Sequence, residues 1–153
     1  MMTLQGTRFG KIEYAKSDLI HIPEGMIGFE KFSKFVVVHL NEGSPYRWLQ
    51  SIQEPKLAFL VSVPESFIAD YAPEITNEQA ESLGLTPETP HLILVTTTIP
   101  AGKPELATAN LAAPVVINLE TRKAKQVILE DEAYTIRYSI FSGQQEVAKL
   151  AAA

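Results

Sequence analysis

The chain has 153 residues, 46% of them hydrophobic, and carries 13 basic against 18 acidic side chains for a formal net charge of −5. That length fits one domain burying about two-thirds of the surface its unfolded form exposes, so folding needs no metal or disulfide. The complete lack of cysteine excludes a thiol nucleophile, a disulfide framework and thiolate metal sites, and the acidic balance argues against direct nucleic-acid binding.

Reading from the N-terminus, MMTLQGTRFGKIEY contains no apolar run of the signal-peptide kind. No later stretch approaches the roughly 20 apolar residues that span a bilayer, so the expected setting is the cytoplasm, away from membranes. RFGKIEY (8–14) alternates as a half-buried strand does, with a register slip that points to a bulge near Gly10. LIHI (19–22) is a short strand stopped by Pro23, and Ser17-Asp18 before it is turn-forming. FVVVHL (35–40) is β-branched and runs into the turn residues Asn41, Glu42 and Gly43. YRWLQSI (46–52) and KLAFLVSV (56–63) read as an antiparallel pair across Gln53-Glu54-Pro55, with Trp48 expected in the core.

The pattern then changes. Thr76-Asn77-Glu78-Gln79 has the capping-box form, Ala80 and Leu83 follow at helical spacing, and Gly84 suits a left-handed C-terminus. Strands resume with HLILVTTTI (91–99), APVVINL (113–119), KQVILE (125–130) and AYTIRYSIF (133–141). In KQVILE, Gln126, Ile128 and Glu130 alternate with Val127 and Leu129, so one strand face mixes apolar and polar groups. The fold class is therefore mainly β: a small antiparallel barrel or sandwich of about seven or eight short strands, with one short helix. Residues 1–141 read as a single β-rich domain, and 142–153 as a C-terminal tail, helical or disordered.

Catalytic constellations are missing. His21, His39 and His91 share no metal-ligand spacing, there is no H-E-x-x-H, and the G-x-S-x-G nucleophile turn is absent. Glu130-Asp131-Glu132 is the densest acidic cluster and reads as a solvated turn, and the basic run Arg122, Lys123, Lys125 as a hairpin end. In PEGMIGFE the two glycines mark places where the backbone needs positive φ; such a loop closes a core or offers an apolar knob to a partner. A hydrolase using Asp131 or Glu132 is the weakest reading, and a small-molecule carrier built on a barrel mouth is the alternative to a protein-binding role.

Five phrases, HIPEGMIGFEKF (21–32), RWLQSIQEPKLAFLVSVP (47–64), DYAPEI (70–75), TANLAAPVVIN (108–118) and KQVIL (125–129), stand in an order and at separations that resemble the bacterial flagellar assembly factor FliW family. Ile22 and Met26 depart from the family's usual Phe and Leu but keep comparable apolar bulk. The resemblance implies a β-rich, cofactor-free, non-enzymatic protein, monomeric when unbound, with two competing partners. One is CsrA, a small basic translational repressor of flagellin synthesis; the other is flagellin, which displaces it. Asp70, Tyr71 and Glu74 are the first candidates for binding, as acids beside an aromatic in a Pro-bounded segment, and Glu54 is a further acidic candidate. Tyr71 can equally pack on the core and fix the approach to the helix. Thr108, Asn110 and Pro114 read as structural, with Asn110 bonding local backbone.

Overall fold

A computed structural model describes residues 1–141, so the expectation for the tail over 142–153 lies outside the described residues. Strands β1 (Met2–Thr7) and β2 (Gly10–Tyr14) form a separate antiparallel hairpin. The main sheet contains β3 (Ile20–His21), β4 (Lys34–Val38), β5 (Tyr46–Ser51), β6 (Ala58–Ser62), β7 (His91–Thr98), β8 (Thr108–Ala109), β9 (Val115–Asn118), β10 (Ala124–Gln126) and β11 (Tyr138–Ser139). Its path runs β10-β9-β7-β6-β5-β4-β3, with β8 and β11 branching from the far end of β7. The eight-residue β7 makes this possible, pairing β9 through His91–Leu94, β6 through Val95 and Thr96, and β8 through Thr97 and Thr98.

The antiparallel, mainly β reading holds, and of its two forms the closed barrel is not the one observed. The sheet curls until its end strands touch at one point, where the His21 amide donates to Arg122 O at 2.9 Å and His21 faces Lys123 in a parallel bridge. A single bridge does not close a barrel. The strand number also exceeds expectation, because β1, mostly exposed, and β8, with only two residues, carry no strand period of their own.

The hollow of the curl is filled. Ile20, Ile22, Met26, Phe35, Leu49, Val61, Leu94, Val115, Ile117 and Ala124 form one buried cluster inside it. Val116 points the other way, where Leu83 and Val127 meet it beneath α1 (Asn77–Leu83). Strand β9 is thus covered on both faces, which is why VVIN reads as a continuous run instead of an alternation. A third cluster gathers Val95, Ala107, Leu111, Tyr138 and Ile140, with Phe67, Tyr71 and Tyr134 packed against it.

Helix α1 forms as its caps dictate. Thr76 Oγ1 accepts the Gln79 amide at 3.1 Å, Gln79 Oε1 accepts the Thr76 amide at 2.9 Å, and Gly84 sits at φ 70°. A seven-residue helix is marginal by itself; burial of Leu83 on β9 holds it.

Several expectations need correction: the strand over 133–141 reduces to Tyr138–Ser139, and that over 125–130 is regular only through Gln126. Strand Arg8–Tyr14 begins only at Gly10, because Arg8 and Phe9 form the turn back to β1. That turn also corrects Trp48, which is half-buried on the outer side of the sheet instead of in the core. Phe9 meets its ring edge-on at 5.6 Å between centroids, and the Arg8 guanidinium lies 4.0 Å over it. The hairpin therefore covers what the sheet's own core does not reach.

Candidate protein-interaction surface

The loop after β3 begins with a backbone that only glycine fits. Gly25 has φ +70°, and a Cβ there would lie 2.6 Å from Glu30 Cα and 2.8 Å from Phe29 O. This tight crossing sends Met26 into the core, 1% exposed, and leaves Ile27 outside at 52%. The loop thus does both things the sequence allowed, closing the core with one side chain and presenting the next. Phe29 leans edge-on against Phe59 at 5.1 Å.

This loop faces β10 across the seam where the sheet fails to close. Side chains stitch the two together: Lys125 Nζ sits 3.0 Å from Glu24, and the Ile27 amide donates to Gln126 Oε1 at 2.9 Å. Beyond Gln126 the seam opens into two adjoining hollows of about 310 and 360 Å³ that share Gln79 and Ile128. Ile128, 65% exposed, lies between them. On one side stand Glu24, Ile27 and Glu30; on the other, Glu74, Ile75 and the start of α1, with Glu130 and Asp131 at the end.

The groove is strongly biased in charge. Five carboxylates line it, those of Glu24, Glu30, Glu74, Glu130 and Asp131, against one cation, Lys125, which is already paired with Glu24. Glu30 is held ionised below the ordinary carboxylate range by hydrogen bonds from the Gly28 amide and from its own amide. An acidic rim around exposed isoleucines matches a basic, partly apolar protein segment.

Of the four residues expected from the sequence to bind partners, Glu74 lines this groove directly. Asp70 is exposed four residues earlier in the same connection. Tyr71 is half-buried: its hydroxyl donates to Leu111 O at 2.6 Å, and its ring meets Tyr134 edge-on at 4.9 Å. Burial, and secondarily Tyr134, push its phenol well above the ordinary tyrosine range. Tyr71 thereby anchors the segment that carries Asp70 and Glu74. Glu54 is exposed on the β5–β6 turn and is not among the residues lining the groove. Its turn is fixed by Ser51 Oγ, which accepts the Gln53 and Glu54 amides, and by Gln50 Nε2, which donates to Pro55 O at 2.9 Å.

Of the other groove residues, Ile27 belongs to the loop that the sequence allowed as an apolar knob, whereas Glu30 and Ile128 do not stand out in the sequence. The mixed alternation of Gln126, Ile128 and Glu130 is the available signal, an apolar residue between polar ones on one strand face. Asn110 does bond local backbone, accepting the Ala112 amide at 3.0 Å.

Comparison with known proteins agrees with this architecture. A family model described as FliW protein matches residues 3–140. The flagellar assembly factor FliW of Leptospira biflexa is 35% identical over 147 residues, covering 96% of both chains. That of Magnetococcus marinus is 39% identical over 130 residues, covering 85% of this chain and 80% of the relative. A crystal structure of the flagellar assembly factor FliW superposes with a TM-score of 0.83 at 31% identity, over 92% of this chain and 97% of the other. With its fold, its length and nearly all of its described residues matched, the chain belongs to the FliW family of flagellar assembly factors.

Proposed function

We propose that the protein is a non-enzymatic flagellar regulator that binds the translational repressor CsrA and yields it when flagellin takes its place. The observation that carries this reading is the acidic groove along Ile27, Ile128 and Glu74, whose five carboxylates face outward around apolar side chains. A basic repressor is attracted to such a rim, and desolvation of the isoleucines supplies affinity once contact is made. Partner exchange needs no chemistry of bond making. It needs one protein to present surfaces that two ligands cannot occupy together.

The carrier alternative finds no support in the interior. The hollow a barrel ligand would occupy is filled by Phe35, Leu49, Val61 and their neighbours.

Calorimetric titration with the cognate CsrA, repeated after saturation with flagellin, tests the proposal. Heat of binding that flagellin suppresses is the expected result. Absence of binding to either partner at micromolar concentration in low salt would overturn it.

A further inference from the structure

We infer that the outer edge of the β10 segment, centred on Ile128, receives an extended basic segment of a partner protein as an added strand. The inference rests on reading this groove as protein-binding, and goes beyond it by naming how the partner is held.

The backbone carries the argument. Asn118 N donates to Lys123 O, Val127 N to Pro114 O and Leu129 N to Ala112 O, at 2.9, 2.8 and 2.8 Å. Pairing with the β9 side therefore continues past the regular strand, through the odd-numbered residues. Antiparallel alternation then turns the amides and carbonyls of Gln126, Ile128 and Glu130 away from β9. Strand β10 is the last in the sheet path, so no strand lies beyond them among the described residues. His21 covers this edge only at Arg122 and Lys123, and the Ile27 loop is tied to it only as far as Gln126.

Natural edges of this kind are guarded by lysine, proline or a bulge. The stretch Gln126-Val127-Ile128-Leu129-Glu130 has no lysine and no proline, and its central residue is an exposed isoleucine. Added strands gain affinity from main-chain hydrogen bonds and specificity from alternate side chains. Here the side chains met would be Ile27 and Ile128, with Glu30, Glu74, Glu130 and Asp131 around them. That surface selects an extended segment alternating apolar and basic residues. A second copy of this chain is disfavoured, because its edge brings the same carboxylates and like charges repel.

The test uses a capped peptide of alternating lysine and valine, and a counterpart with the same side chains but N-methylated on the backbone. We expect the unmodified peptide to bind at low salt and to slow amide exchange at Ile128 and Glu130. We expect the methylated peptide to bind about tenfold more weakly, having lost its main-chain donors to the edge. Ile128→Pro, which removes an outward amide and none of the inward bonds, should weaken the unmodified peptide similarly. Equal affinity of the two peptides, no binding of either, or dimerisation of the free protein through this edge would each overturn the inference. Neither peptide involves CsrA or flagellin, so a failure here is separable from failure of the partner titration.

Discussion

Gln126 holds Ile27 in place with one end of its carboxamide and the chain just before β9 with the other. Its Oε1 accepts the Ile27 amide at 2.9 Å, and its Nε2 donates to Ala113 O at 3.1 Å. One side chain thus joins the loop after β3 to the opposite end of the sheet path, beyond the His21–Lys123 bridge. Gln126→Leu keeps the bulk and strands both partners. Urea unfolding should show a loss of about 1 kcal/mol, because water can reach the exposed Ile27 amide, and that amide should exchange faster. Unchanged exchange at Ile27 would mean that the seam is held by its other links, Glu24–Lys125, the His21 bridge and the Arg122 guanidinium donating to Asp18 O.

The two glycines of the same loop make a paired prediction. Both have positive φ, +70° at Gly25 and +88° at Gly28, but only Gly25 is crowded by the Glu30 and Phe29 backbones. Gly28→Ala carries the left-handed strain alone, about 1–2 kcal/mol. Gly25→Ala adds a collision that backbone must move to relieve, and should cost distinctly more. Thermal unfolding of the two variants side by side checks the order, and equal losses would show that the loop yields freely.

What is legible in the sequence depends on how locally each feature is determined. Thr76, Gln79 and Gly84 specify α1 within one short stretch, and the β-branched run at 35–38 specifies β4. Strand β1 escapes a reading by pattern because MTLQGT is polar and mostly exposed, taking its form from pairing with β2. Strand β8 exists because it pairs with β7 and β11, a tertiary circumstance that two residues cannot announce, and of the strand expected over 133–141 only Tyr138–Ser139 finds a partner. The candidate site divides in the same way. Asp70, Tyr71 and Glu74 stand out as an acidic aromatic segment, and Glu74 lines the groove. The facing wall comes from residues 24–30, whose Ile27 lies 99 positions from its partner Gln126. No local pattern reveals such a meeting.

Tyr71 ties alkaline stability to the groove wall. Its phenol is raised from 10.0 by burial and then by Tyr134. The fold therefore favours the neutral form. This contribution is fully present below the unfolded value near pH 10 and is lost as pH rises above it. Tyr71→Phe removes the hydroxyl that donates to Leu111 O at 2.6 Å, costing about 1–2 kcal/mol at neutral pH. Stability of the variant should then fall less steeply above pH 10. Some slope should remain, because burial also raises Tyr46. Urea midpoints at neutral pH and at several alkaline values check both parts, and an unaltered slope would assign the alkaline loss elsewhere.

Charge at the groove should govern encounter more than residence. Glu130 and Asp131 are exposed at its end, in the turn that follows the β10 edge. Their replacement, Glu130→Lys with Asp131→Lys, reverses the sign of that end while leaving Ile128 and its backbone untouched. Exposed charges at a rim steer association and are screened by salt, whereas desolvated contacts set the dissociation rate. Association with CsrA should therefore slow several-fold at low ionic strength, with dissociation little changed. The difference should vanish near 1 M salt, where the screening length falls to about 3 Å. Stopped-flow association across a salt series decides the matter. Rates equal to wild type at every salt concentration would place the repressor on another face of the molecule, with Glu54 on the β5–β6 turn the next acid to reverse.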